Sequence, residues 1–238
     1  MSLPTFVTSE AFAAGRQVTL GQEEVHHIRV RRLDVGARVA LLDGQGLRGT
    51  GHLVRVAKRN ATVEVESAEQ EEPRRAIHLL VPIAEKDRML WLAEKACELG
   101  AASWRPVDFR RSKSVAARGT GTMFNQKVAA RMRAAMEQSG NAWMPTGYPE
   151  ASVERAIAAA PEGVRLVLDG AGSPMELGDD GSASISIVVG PEGGIEDDEM
   201  EMFAKAGFAK LSLGPNILRF ETAAIAALAV LSAQVRDK

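Results

Sequence analysis

The stretch 185-ISIVVGPEGGIEDDE-199, continued by 206-AGFAKLSLGPNILRFETAA-224 and 225-IAALAVLSA-233, decides the fold. An apolar run enters a glycine-rich loop, an acidic helix start, a second strand, a second glycine-bearing loop and a last apolar helix. In an open α/β sheet, ligands bind beyond the carboxyl ends of strands, so two such loops after two strands mark this stretch as the ligand site. The final helix is apolar on every side and must be buried all round. A terminal helix is seldom covered on all faces by its own chain, and a subunit interface is the simplest cover. Its small residues Ala223, Ala224, Ala226, Ala227 and Ala229 allow close approach.

Upstream, the same alternation of strand and helix continues. AIHLLVPIA at 76–84 is a continuous apolar run, as in a buried parallel strand. A helix follows over 88–99, with Met89, Leu92, Ala93, Ala96 and Leu99 on one face and Gly100 as its stop. SWRPVDF at 103–109 predicts the next strand, RRSKSVAARGTGT at 110–122 a basic surface loop, and 124–138 a helix stopped by Gly140. RLVLDGAG at 165–172 reads as a buried strand meeting a glycine-rich turn, and 173–184 as a polar loop. Residues 73–238 therefore form an α/β domain with a mostly parallel sheet. Residues 1–72 are different. RQVTL, ARVALLD, LRGTGHLVRVA and ATVEVES alternate or are rich in Val and Thr, with turns at DGQG and KRN, so they form a small β-rich module. SAEQEEPRR at 67–75 reads as the linker between the two. Within EEVHHIRVRRLDVG at 23–36, Arg29 and Arg32 share a face if the segment is helical.

Composition bounds what such a protein can be. At 238 residues, 45% hydrophobic and 25% charged, the chain can build a sizeable core. Its one cysteine, Cys97, can form no internal disulfide, which points to a reducing cytoplasm. No apolar run reaches the roughly 18 residues of a membrane span, and the first residues lack a signal-peptide layout. The net charge of −2 hides an asymmetry. Residues 1–72 carry 9 Lys/Arg and 10 Asp/Glu, residues 73–133 carry 13 and 5, and residues 134–238 carry 7 and 16. A basic middle beside an acidic end suggests a polyanion gripped by part of the surface. His26 and His27 have no further ligand at metal spacing, and no metal site is expected.

Three strand-to-loop junctions, LDGAG, GPEGG and LGPNIL, can gather at one sheet edge. Neither G-x-G-x-x-G nor a phosphate-cradling G-x-x-x-x-G-K-[ST] is present. GPEGG carries Glu192 and runs into Glu196, Asp197, Asp198 and Glu199, and carboxylates in such a loop repel phosphate. They favour a neutral or cationic ligand, of which S-adenosyl-L-methionine, a phosphate-free sulfonium, is one. The four later carboxylates also suit the start of a helix without any ligand. Arg219 and Glu221, where the last loop meets the last helix, can serve the site or brace the turn.

Five blocks, 26-HHIRVRRLDVG-36, 94-EKACELG-100, 137-EQSG-140, 190-GPEGG-194 and 212-SLGPNILRFETA-223, resemble in order and wording the bacterial 16S rRNA (uracil-N3)-methyltransferases of the SPOUT superfamily. The resemblance implies a PUA-like β-barrel over 1–72 and, over 73–238, a SPOUT α/β domain with a deep trefoil knot. It also implies a cytoplasmic homodimer through the C-terminal domain that methylates N3 of one uridine of 16S rRNA near the decoding region. The same fold could serve another RNA such as tRNA, or survive in a non-catalytic RNA-binding assembly protein. Carried over, the cofactor contacts are Leu168, Asp169 and Gly170, then Gly190, Pro191, Glu192, Gly193 and Gly194, then Leu211, Leu213, Gly214, Ile217 and Leu218. The implied chemistry needs a guanidinium near the uracil carbonyls and a base for the N3 proton. Arg219 is the first candidate for the one, and Glu221, with Glu192 behind it, for the other. Arg29, Arg32, Arg88, Arg110, Arg111 and Lys113 would hold phosphates. The chain departs from the family pattern at Asn141 and Asn216, where arginine is usual, and at Phe220.

Overall fold

The computed structural model describes residues 3–112, 119–174 and 184–234. These form two compact units, one of Met1–Pro73 with Arg133–Met144, the other of Arg74–Met132 with Pro145–Lys238.

The first unit contains β1 (Thr5–Val7), β2 (Gln17–Leu20), α1 (Gln22–Val30), β3 (Arg38–Leu42), β4 (Leu47–Val56) and β5 (Ala61–Gln70). Its sheet runs β1-β3-β4-β5-β2, antiparallel except for the β1–β3 pair. The alternation of the sequence is the alternation of burial: Val18 and Leu20 point inward while Gln17 and Thr19 face solvent. Together with Phe6, Ile28, Leu41, Leu53 and Val63 they make one core. At the DGQG turn the Asp43 carboxylate accepts the N–H groups of Gln45 and Leu47, at 2.6 and 3.0 Å, and closes the β3–β4 hairpin.

Two expectations change here. The polar SAEQ is not linker, because β5 runs on to Gln70, paired with β4 as far as Leu47; its side chains are polar because that end of the strand is exposed. And α1 stops at Val30, with Arg32 at φ 54°, so Arg29 and Arg32 do not share a helical face.

The second unit contains β6 (Ile77–Pro82), α2 (Lys86–Glu98), β7 (Ser103–Asp108), a single 3-10 turn (Arg110–Ser112), α3 (Thr122–Ser139), β8 (Thr146–Gly147), β9 (Ala151–Ser152), α4 (Val153–Ala158), β10 (Gly163–Pro174), β11 (Ser184–Val188), α5 (Asp197–Lys205), β12 (Ala209–Ser212) and α6 (Phe220–Gln234). All its strand pairs are parallel, in the order β12-β10-β11-β6-β7-β8, with β9 beside β7. Central strands buried on both faces explain continuous apolar runs such as IHLLVP. In α2 the stripe Met89, Leu92, Ala93 and Ala96 is buried, and Glu85 caps the helix by accepting the N–H groups of Asp87 and Arg88. Cys97 is buried in the same stripe. Helix α6 packs Ala224, Ala227, Leu228 and Leu231 toward α2 and β6, but Ala229 and Val230 stand in solvent. Its own chain thus covers one face of a helix that the sequence predicts to be buried all round.

The last turns of α3 and the segment after it, Arg133–Met144, belong to the first unit rather than to the domain in which a division at residue 72 places them. Arg133 pairs with Glu24, and Glu137 accepts the Val7 N–H and lies 3.4 Å from His27. Burial pushes the Glu137 carboxyl up, against the opposing pull of His27. Asn141, where arginine is usual in the resembling family, exchanges two hydrogen bonds with the Trp143 backbone and braces this turn.

Candidate functional site

Strands β12, β10 and β11 are neighbours, and a cavity of about 390 Å³ opens at their carboxyl ends. That is within the ~300–1,000 Å³ usual for small-molecule sites. Its walls come from 168–170, from 189–195 and from 211–218, with Met200 of α5 and Phe220 and Ala223 of α6 closing it.

The first wall exists because β10 breaks its ladder. Leu168 and Ser173 both face Leu211, so residues 169–172 loop out between them. The detour brings the chain hard against β12: a Cβ added to Gly172 would sit 2.6 Å from the Leu211 backbone. Asp169 projects from this bulge, its Oδ1 accepting the Ala171 N–H at 2.8 Å and its Oδ2 2.9 Å from Lys210 Nζ. The Ala171 N–H first, and then Lys210, hold the Asp169 carboxyl below its ordinary value.

In the second wall, the residues expected to meet a cofactor line the cavity except Gly193. That glycine turns outward: its carbonyl accepts a hydrogen bond from Arg111 Nη1 at 2.9 Å, and an added Cβ would lie 3.1 Å from Arg111 Cβ. The acidic run after the loop also turns away from the cavity. Glu199 accepts the Glu196 N–H and the Arg110 N–H, while Glu196 and Asp198 bind the Arg110 guanidinium. These carboxylates cap α5 and hold two arginines, so of the acidic residues near the loop only Glu192, with Asp169 of the bulge, faces the ligand space.

The third wall carries Leu211, Leu213, Gly214, Ile217 and Leu218, as expected. Gly214 has φ 139°, a conformation that favours glycine. Arg219 follows it, exposed, between the lining residues Leu218 and Phe220, with no side-chain partner among the described residues. Glu221 is only 6% exposed and lies outside the lining. Its Oε1 is 3.9 Å from Arg88 Nε, and its Oε2 makes no hydrogen bond among the described residues. Arg88 also donates from Nη1 to Glu192 at 3.2 Å.

The expected phosphate contacts divide. Arg29 donates to the carbonyls of Ala57 and Lys58, and Arg32 is exposed. Arg88, Arg110 and Arg111 are held by carboxylates. Lys113 lies outside the described residues. The expected set omits the lining residues Ser212, Pro215 and Asn216, which lie between its members on the third wall, and Val189, Ile195, Met200, Phe220 and Ala223; these last five read as ordinary core, and their only signal is adjacency to the glycine loops. Among the described residues no cluster of His, Cys, Asp and Glu could hold a metal, and no helix is long and apolar enough to cross a membrane.

Known proteins resemble the chain in sequence and in fold. The chain is similar to the Bacillus subtilis protein named ribosomal RNA small subunit methyltransferase E, 26% identical over 226 residues, which covers 89% of this chain and 88% of that one. A Synechocystis protein of the same name is 29% identical over 225 residues, 91% and 73% of the two chains. The crystal structure of a ribosomal RNA small subunit methyltransferase E from Neisseria gonorrhoeae bound to S-adenosyl methionine superimposes with a TM-score of 0.88 at 29% identity, over 98% of both chains. A family model described as RNA methyltransferase domain matches residues 70–232, and another, RNA methyltransferase PUA domain, matches residues 20–66. With the first of these spanning well over half its length, the chain belongs to the RNA methyltransferase family, carrying a PUA domain ahead of the α/β methyltransferase domain.

Proposed function

We propose that the protein uses S-adenosylmethionine to methylate N3 of one uridine in 16S rRNA, near the decoding region of the small ribosomal subunit, in the cytoplasm and as a homodimer. The observation that carries this reading is the lining of the cavity: among the described residues Asp169 and Glu192 face it, each paired with a cation outside the lining, and no Lys, Arg or His lines it. Such a wall offers a phosphate-bearing cofactor no cation to meet and suits a phosphate-free one. The small-subunit relatives named above, one of them solved with that cofactor, support the same substrate class.

When bound, the cofactor supplies an electrophilic methyl group on a sulfonium. The walls 190–194 and 211–218 would hold it largely through backbone groups, and the apolar side chains of Ile195, Met200 and Phe220 would exclude water. We infer that these walls are parts of the trefoil knot that the family resemblance implies. Uracil N3 bears a proton and is a weak nucleophile until that proton leaves. Of the two candidates for the base, Glu221 and behind it Glu192, we favour Glu192, because it lines the cavity while Glu221 is buried outside the lining. Arg219, free at the rim, would stabilise the negative charge that then spreads to O2 and O4. N3 lies on the pairing edge, so the target base must leave its stack. Arg29 and Arg32 of the first unit would hold phosphates of the RNA. The open face of α6, with Val230 at 40% exposure, and Trp91 of α2 at 46%, would be covered by a second copy.

The test is a methylation assay on small subunits and on naked 16S rRNA from cells lacking the gene, with the modified nucleoside mapped by mass, beside calorimetry with S-adenosylmethionine. N3-methyluridine at one 16S position is the expected product. Methylation of tRNA instead would move the substrate, and absence of cofactor binding would leave an RNA-binding assembly protein.

A further inference from the structure

Strands β11 and β12 are not neighbours, because β10 lies between them. The loops that leave them, 190–194 and 213–218, are therefore not joined by the sheet, although both wall the cavity. Arg88 joins them from a third element. Its backbone is fixed in the first turn of α2 by the Glu85 cap, at 3.1 Å from its N–H. Its side chain reaches Glu192 on the first loop at 3.2 Å, and Glu221, just past the end of the second, at 3.9 Å.

Glu221 makes this arrangement hard to read as incidental. Its residue is 94% buried, its Oε2 has no hydrogen-bond partner among the described residues, and its ion-pair partner among them is Arg88. A buried carboxylate held by one long contact is costly to the fold. It is explained if its task is to fix a cation.

We propose that Arg88 is a positioning residue, a latch that sets the spacing of the two cavity loops by holding Glu192 at the wall and Glu221 behind it, and that it does not grip an RNA phosphate. This rests on the cofactor reading above, since it assigns the latched cavity to S-adenosylmethionine. Arginine suits the task because its planar fork can address two carboxylates at once; lysine offers one compact charge.

The test titrates S-adenosylhomocysteine, the unreactive product, into wild-type protein and variants by calorimetry. Arg88→Met is expected to weaken binding about tenfold, the scale of one lost charge-assisted contact. Arg88→Lys, which keeps the charge but cannot span both partners, should lose about threefold. In the double variant with Glu192→Gln, the two losses should not add, because both break the same contact. RNA binding by Arg88→Met should keep the wild-type dependence on salt. Wild-type affinity in Arg88→Lys overturns the latch even if Arg88→Met fails to fold. So does an Arg88→Met protein with intact cofactor affinity whose salt slope for RNA falls by about one, the mark of a phosphate contact. A wild-type protein that binds no cofactor analogue sinks the functional reading itself, and is told apart by needing no variant.

Discussion

The arginines expected to hold phosphate differ between the two units in what they are bound to, although other first-unit arginines, Arg38, Arg48 and Arg133, also rest on carboxylates. In the first unit, Arg29 donates to two backbone carbonyls, which leave its charge uncompensated, and Arg32 has no side-chain partner among the described residues. In the second, Arg88, Arg110 and Arg111 each rest on carboxylates drawn from residues 192–221. The excess of positive charge in 73–133 and of negative charge in 134–238 is thus partly one interaction seen from two sides. A phosphate approaching Arg110 must displace Glu196 and Asp198, whereas at Arg29 it displaces water and weak dipoles. Charge count measures charge; partners decide whether it is available.

Arg219 tests this contrast most severely, because it lies in the second unit yet, like Arg32 of the first, has no side-chain partner among the described residues. Arg219→Ala should lower methylation by about 100-fold to 1,000-fold, the usual cost of removing one group that stabilises developing negative charge. Cofactor affinity by calorimetry should stay within about twofold. Normal turnover would remove Arg219 from the mechanism. Next in size is the pair Arg29→Ala with Arg32→Ala. Each lost phosphate contact lowers the slope of log affinity against log salt by about one, so the double variant should bind RNA roughly tenfold more weakly and with a visibly shallower slope. Arg110→Ala should leave the slope alone. An equal loss in Arg110→Ala would erase the distinction between the two units.

The parts of this arrangement legible in the sequence are those that depend on neighbours in the chain. AIHLLVPIA had to be a doubly covered strand, and GPEGG and LGPNIL had to expose backbone at strand ends, because run length and glycine placement are local facts. What escaped depends on distant partners. Arg88 meets Glu192 from 104 residues away, and no local pattern separates it from a solvated arginine of α2. Glu137 sits in a uniform helical pattern, yet its environment, Val7 and His27, places the end of α3 with the first unit. LDGAG reads as a turn and the following SP as the start of a loop, while pairing with β12 makes the first a bulge inside a strand that runs on to Pro174. Gly193 looks like its neighbours in GPEGG, and only the position of Arg111 shows that it faces the other way.

Arg111 sharpens the comparison at smaller scale. If its role is to hold the Gly193 carbonyl and Glu196, then Arg111→Ala should weaken cofactor binding about threefold, the worth of one partly exposed hydrogen bond. Its RNA salt slope should not move. Calorimetry and filter binding on the same preparation decide, and a changed slope with unchanged cofactor affinity would return Arg111 to the RNA-contacting set.

The smallest effect expected concerns acid. Matching cations to carboxylates makes the second unit sensitive to protonation, and Asp169, like Glu192, is a matched carboxylate on the cavity wall. Its folded value is held below the ordinary 3.8 by the Ala171 N–H and Lys210. A depressed carboxyl contributes stability that is fully present above the unfolded value and is lost as pH falls through the folded one. Asp169→Asn keeps an oxygen for the Ala171 N–H but loses the Lys210 pair, so near pH 7 it should be less stable by at most about 1 kcal/mol. As pH falls through that depressed folded value the wild-type carboxylate takes up its proton and loses the same pair, so the two melting curves should converge. A gap that stays constant from pH 7 to pH 2 would mean that the substitution acts through packing of the bulge, and that charge matching at Asp169 contributes nothing measurable.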